Sequence, residues 1–203
     1  MKNWSIFARV GMMLGLVTVA ALAQQMNPPD AEFNEAGTTN IDGRSVSYLI
    51  RRLPVSSFPD LPDAVASGLD QRGCMIPQTY QAHRPENVVH ASLERAGSSD
   101  WAVLCSARGT VALLVFFAHN PKPITLASVP EMERLQSHGS SGVLGFDWGI
   151  DPASPEQVRE AQAGFEHHPP LLDHDALVDT VLNQKTVYHF YSRSAWTLVD
   201  MPQ

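Results

Sequence analysis

The sequence predicts an α+β fold, mainly antiparallel β hairpins with two or three short helices and one disulfide. The middle of the chain holds two apolar runs, Trp101 to Cys105 and Thr110 to Phe117, rich in β-branched and aromatic residues and separated by Ser106-Ala107-Arg108-Gly109. That is the pattern of a hairpin. Helix signals are brief and local: Pro62 followed by Gly73, and Ser154-Pro155 with Gln157. The only two cysteines, Cys74 and Cys105, lie downstream of an N-terminus with the features of an export signal.

That N-terminus sets the domain organisation. Lys2 and Arg9 precede an apolar run from Val10 to Ala23, shorter than the roughly 20 residues a membrane-spanning helix needs. The run ends in Ala21-Leu22-Ala23, the small-x-small pattern cut by signal peptidase. Residues 1–23 therefore read as a signal peptide, with an uncleaved anchor as the alternative. Residues 24–43 are polar and rich in Asn, Pro and Thr, and read as a flexible lead-in. Residues 44–203 read as a single globular domain. No membrane span is expected after cleavage, because Val111 to Ala118 has only the length of a buried strand. The expected location is periplasmic or secreted.

Along the globular part, Ser45 to Ile50 alternates polar and apolar residues, as a half-buried strand does. Pro62 suits the first turn of a helix, Val65 and Leu69 share one face, and Gly73 provides a left-handed stop. Val88 to Leu93 reads as a strand leading into the turn-forming Ala96 to Asp100. The two central runs are continuously apolar, which points to cover on both faces. Val129 to Gln136 is expected to add a short helix. Ser154, Pro155 and Gln157 form a helix start with a capping box, closed by Gly164. Thr186 to Tyr191 and Trp196 to Val199, joined by Ser192 to Ala195, read as a last hairpin.

Charge excludes one class of partner. The chain carries 14 Lys and Arg against 21 Asp and Glu, a net charge of −7, and its longest basic run is Arg51-Arg52. No basic stripe is present to follow a phosphate backbone, so no nucleic acid is expected. Outside the cytoplasm an even cysteine count favours a disulfide. Closing that loop contributes about 3–4 kcal/mol in the chain-entropy description. Two buried free thiols, or a reactive Cys105, are the alternatives.

The densest set of potential ligands is the segment from His167 to Asp179. Asp173, Asp175 and Asp179 converge if the chain curls around a hard cation such as calcium. Their spacing is similar to the tail of the D-x-[DN]-x-D-G-x-x-D loops of FG-GAP-like calcium-binding propeller repeats. Leu171 at the first ligand position and Ala176 at the glycine position depart from that pattern. A polar turn in which the aspartates bind their own backbone is the other reading. His167, His168 and His174 with a neighbouring aspartate form a candidate zinc or acid–base set, although neither H-E-x-x-H nor C-x-x-C is present. Gly139-Ser140-Ser141-Gly142 does not match a nucleophile elbow.

Three stretches, Arg72 to Gln78, Ser99 to Ser106 and Pro170 to Asp179, resemble an uncharacterised family of small secreted bacterial proteins. The resemblance spans roughly residues 60–200. It implies export and paired cysteines and carries no activity. The resulting expectation is an exported, non-enzymatic binding or structural domain for an unknown protein or small ligand, with calcium as a candidate cofactor and no catalytic residues assigned. The alternatives are a metal-dependent hydrolase using the His167–Asp179 segment, and an interaction module such as an envelope-enzyme inhibitor presenting Gln136 to Gly142 or an aromatic strand face.

Overall fold

The computed structural model describes residues 33–138, 142–164, 171–181 and 184–199. The candidate signal peptide, His167 and His168 lie outside them. Strands β1 (Glu35–Ile41) and β2 (Arg44–Pro54) pair antiparallel across Asp42-Gly43. Both turn residues have positive φ, 51° and 80°, the requirement of a tight two-residue turn that keeps the strand twist. β1 falls within the stretch expected to be a flexible lead-in, so the expected boundary at residue 44 separates two paired strands. Its sequence offers little apolar alternation, and pairing along β2 imposes the extended conformation.

A 3-10 turn over Val55–Ser57 leads to helix α1 (Asp63–Gln71), with Pro62 at its N-cap. The helix stops as its sequence requires. Gly73 takes φ 70°, its N–H bonds Asp70 O at 2.9 Å, and Cys74 N–H bonds Leu69 O at 3.1 Å, which together make a Schellman ending. β3 (Met75–Gln78) and β4 (Val88–Ala91) precede the central hairpin, β5 (Asp100–Ala107) and β6 (Thr110–Phe117). Ala107 pairs with Thr110, so the connection is the two-residue Arg108-Gly109 turn, at φ 53° and 74°, shorter than the four residues expected.

β7 (Asn120–Pro130) runs into a 3-10 turn (Glu131–Arg134) and then β8 (Leu135–Ser137). The short α-helix expected over Val129 to Gln136 is absent. Pro130 caps a single 3-10 turn, and both flanks find strand partners instead of continuing a helix. β9 (Leu144–Phe146), β10 (Trp148–Ala153), α2 (Pro155–Ala161), β11 (Ala176–Val181), β12 (Lys185–Ser192) and β13 (Ala195–Val199) complete the described elements. α2 starts on the expected capping box: Ser154 Oγ accepts Gln157 N–H, and Gln157 Oε1 accepts Ser154 N–H. It ends at Ala161, before Gly164.

The strands form two sheets. One has nine strands in the order β7-β6-β5-β3-β2-β9-β8, with β1 beside β2 and β4 beside β5. The other has the order β10-β11-β12-β13. All pairs are antiparallel except β2 with β9. The central hairpin shows why its runs are continuously apolar. One face of it, with Leu104, Leu113, Val115 and Phe117, packs with Trp148, Ile150, Leu177 and Trp196 of the second sheet. The opposite face, with Trp101, Val103, Cys105, Leu114 and Phe116, packs on Val65 and Leu69 of α1. Both faces are covered, giving three layers with β5 and β6 in the middle. The Cys74–Cys105 disulfide, with 5.0 Å between Cα atoms, ties the end of α1 to β5, and neither cysteine is a free thiol.

Candidate functional site

The segment from Thr79 to Asn87, which joins β3 to β4, is a loop built by side chains. At its neck Glu86 Oε1 accepts Thr79 N–H at 2.7 Å, Gln78 Oε1 accepts Glu86 N–H at 3.0 Å, and Gln78 Nε2 donates to Glu86 O and Ile76 O. Tyr80 N–H bonds Phe146 O at 2.9 Å, which moors the start of the loop to β9. Tyr80 also stacks on His138 within 9° of parallel. This packing needs the glycine at 145, since a Cβ there would lie 2.6 Å from Tyr80 Cβ. At the far end Asn87 is buried in a left-handed conformation, φ 68°. Its Nδ2 donates to Pro77 O and Trp148 O, and its Oδ1 accepts Ile150 N–H. One asparagine thus bonds the open edge of β10 and joins the two sheets.

Between this loop and β2 lies a cavity of about 200 Å³ lined by Arg51, Arg52, His83 and Arg84, with Asn34, Gln78 and Pro85 among the others. β1 begins at Glu35, opposite Ile50, so among the described strands Arg51 and Arg52 pair only with β3, facing Gln78 and Pro77. Consecutive strand residues point to opposite faces, and the two arginines meet different partners. Arg52 is neutralised. Its Nη2 lies 2.6 Å from Glu131 Oε2 and 2.8 Å from Glu35 Oε2, and its Nε donates to Glu131 Oε1 at 3.3 Å. Glu131 is only 2% exposed. Burial works to lower the Arg52 pKa, but the hydrogen bonds to Glu131 and Glu35 outweigh it and raise the value. Reciprocally, the Arg52 guanidinium holds the Glu35 carboxyl below its ordinary value, against the opposing effect of burial.

Arg51 is treated differently. Its three hydrogen bonds all go to carbonyl oxygens of the loop: Nη1 and Nη2 to Ala82 O at 3.1 Å each, and Nη2 to Thr79 O at 2.5 Å. These fix the guanidinium in place without cancelling its charge. Arg51 and Gln78 also line an adjoining cavity of about 170 Å³ that includes Leu49, Tyr80 and Val143. On the loop's outer side Arg84 and His83 are exposed. Burial pushes the nearby Asp151 carboxyl up and Glu86 adds to the push, while Arg84 opposes both.

A separate groove of about 570 Å³ lies over the outer face of β4 and β5, lined by Phe58, Asp60, Leu61, Val88, His90 and Trp101 among others. His90 stacks on Trp101 at 4.5 Å, and His90 Nε2 lies 2.6 Å from Ser99 Oγ. Among the described residues no carboxylate hydrogen-bonds the other ring nitrogen, so the pair lacks the orienting acid of a nucleophile–base triad.

The aspartates singled out by spacing each have different partners. Asp173 is exposed, and its Oδ1 lies 2.6 Å from His174 Nδ1. Asp175 Oδ2 accepts Ser92 N–H at 3.0 Å. Asp179 lies within β11, where Oδ1 accepts the indole N–H of the buried Trp148 and Oδ2 lies 3.2 Å from His189 Nε2. Among the described residues no group of three or more His, Cys, Asp or Glu side chains is placed to hold a metal ion. His174 is buried with both ring nitrogens engaged, Nδ1 by Asp173 and Nε2 by Tyr191 O. Of the Gln136 to Gly142 stretch, Leu135–Ser137 is β8, and residues 139–141 lie outside the described residues. Sequence reasoning noted Arg51-Arg52 only as the longest basic run. An arginine pair within a net acidic chain was the one available signal of the cavity.

No protein-family profile, curated protein or solved structure matches the chain. Among the described residues no helix is long and apolar enough to cross a membrane.

Proposed function

We propose that the protein is an exported, non-enzymatic binding module whose recognition site is the cavity between β2 and the β3–β4 loop. The observation that carries the reading is Arg51, a guanidinium fixed by two loop carbonyls and, among the described residues, left without a carboxylate. Recognition residues sit characteristically on loops held by a rigid scaffold, and this loop is clasped at its neck, moored to β9 and bracketed to β10. Export is supported by the charged, apolar and small-x-small order of residues 1–23. The disulfide fits the same oxidising destination.

The test is a thermal-shift screen of small metabolites against the oxidised protein purified from the periplasm or medium of an expressing host. Compounds that raise Tm are expected to lose that effect in Arg51→Gln and in Glu86→Ala, which opens the neck of the loop. Binding that survives both substitutions would place recognition elsewhere, and a screen with no stabilising compound would remove the reading.

A further inference from the structure

We infer that the cavity takes a small organic anion, a compound carrying a carboxylate or phosphate group; this rests on the binding-module reading above and names its ligand chemistry. The cavity concentrates Arg51, Arg52, Arg84 and His83 in a chain whose net charge is −7. The charge of Arg52 is met by two carboxylates, one of them buried. Among the described residues that of Arg51 is met by carbonyl dipoles alone, and Arg84 is exposed at the rim. Carbonyl oxygens orient a guanidinium but leave its positive charge in place, and a desolvated anion then gains more from it than from water-exposed lysines. A mobile arginine would lose side-chain entropy on binding; one already held by its own loop has lost most of it on folding. Size bounds the ligand as well. At about 200 Å³ the cavity falls below the roughly 300–1,000 Å³ of sites for drug-sized compounds, so the ligand is a few heavy atoms beyond its charged group.

Two variants separate charge from loop integrity. Arg51→Gln removes the fixed cation but also loosens the loop. Arg84→Ala removes an exposed cation that holds no part of the loop together. The probes are succinate, inorganic phosphate and succinamide, the uncharged counterpart of succinate, titrated calorimetrically into the oxidised protein at low and at physiological salt. Succinate or phosphate is expected to bind and succinamide to fail. Arg84→Ala is expected to weaken the anion by ~10-fold, the effect of losing one charged contact. Arg51→Gln should abolish binding, while Arg108→Ala in the remote β5–β6 turn should leave it unchanged. Preference for succinate over phosphate, or the reverse, identifies the charged group. Succinamide binding as tightly as succinate, with the same dependence on Arg51, would overturn the anion inference and leave the binding site standing. Anion binding insensitive to both Arg51→Gln and Arg84→Ala would overturn it too, as would binding by neither anion.

Discussion

Asp100 and Asp147 have no exposed surface, yet their carboxylates meet opposite surroundings. Asp100 begins β5 and organises the turn from β4: Oδ2 accepts Leu93 N–H at 2.9 Å, Glu94 N–H at 2.7 Å and the Ser98 hydroxyl, while Oδ1 accepts Ala118 N–H at 2.9 Å. Asp147 sits at the joint between β9 and β10. Its backbone N–H bonds Arg134 O, but among the described residues neither carboxylate oxygen has a hydrogen-bond partner. Burial alone pushes its pKa from 3.8 up to about 6. Burying a carboxylate is costly in proportion to the donors it fails to find. Asp100 is therefore a structural centre, whereas Asp147 is a local cost that the rest of the fold offsets. Asp175, half-buried with one donor from Ser92 N–H, lies between these extremes.

Substitution at each of the three aspartates tests that ordering. Asp100→Ala strands three backbone N–H groups, and is expected to cost about 3–5 kcal/mol in urea denaturation. A loss below about 1 kcal/mol would mean that water replaces the carboxylate freely. Asp147→Asn is expected to stabilise the protein at pH 7.5 by an amount on the order of 2 kcal/mol. The sign follows from a folded pKa above the unfolded one. Between about pH 4 and 6 the folded state keeps the proton that the unfolded state has released, so this group's contribution to stability falls as pH rises through that window. The gain of Asp147→Asn over wild type should thus vanish at pH 4 and be complete above pH 7. A gain independent of pH would show that the carboxyl is not neutralised by burial. The smallest effect is expected at Asp175, where Asp175→Ala should cost about 1 kcal/mol. That value should be the same with calcium or with chelator present. A Tm raised by calcium in wild type and not in Asp175→Ala would instead restore the calcium loop that the aspartate spacing suggests.

What was legible in the sequence was what local chemistry decides. Pro62 and Gly73 bound α1, Ser154 and Gln157 start α2, and the unbroken apolar runs of β5 and β6 announce cover on both faces. The two cysteines meet because α1 delivers Cys74 beside β5. Illegible features depend on partners distant in the chain. β1 reads as a polar lead-in until β2 pairs with it. The spacing of Asp173, Asp175 and Asp179 suggests one convergence point, but Ser92, Trp148 and His189 each claim an aspartate or its oxygen. Arg51 and Arg52 are adjacent in sequence, and residues 17 to 79 positions away separate the cation that is cancelled from the one that is not.

Asn87 ends the β3–β4 loop and also closes the edge of β10. The loop cannot peel away from the scaffold without parting the two sheets at that point. Insertions between Ala82 and Pro85 should therefore reshape the rim while leaving the fold intact, whereas any change at Asn87 alters the loop and the sheet architecture together. Changes of length in this part of the fold are therefore tolerated best along the outer few residues of the β3–β4 loop.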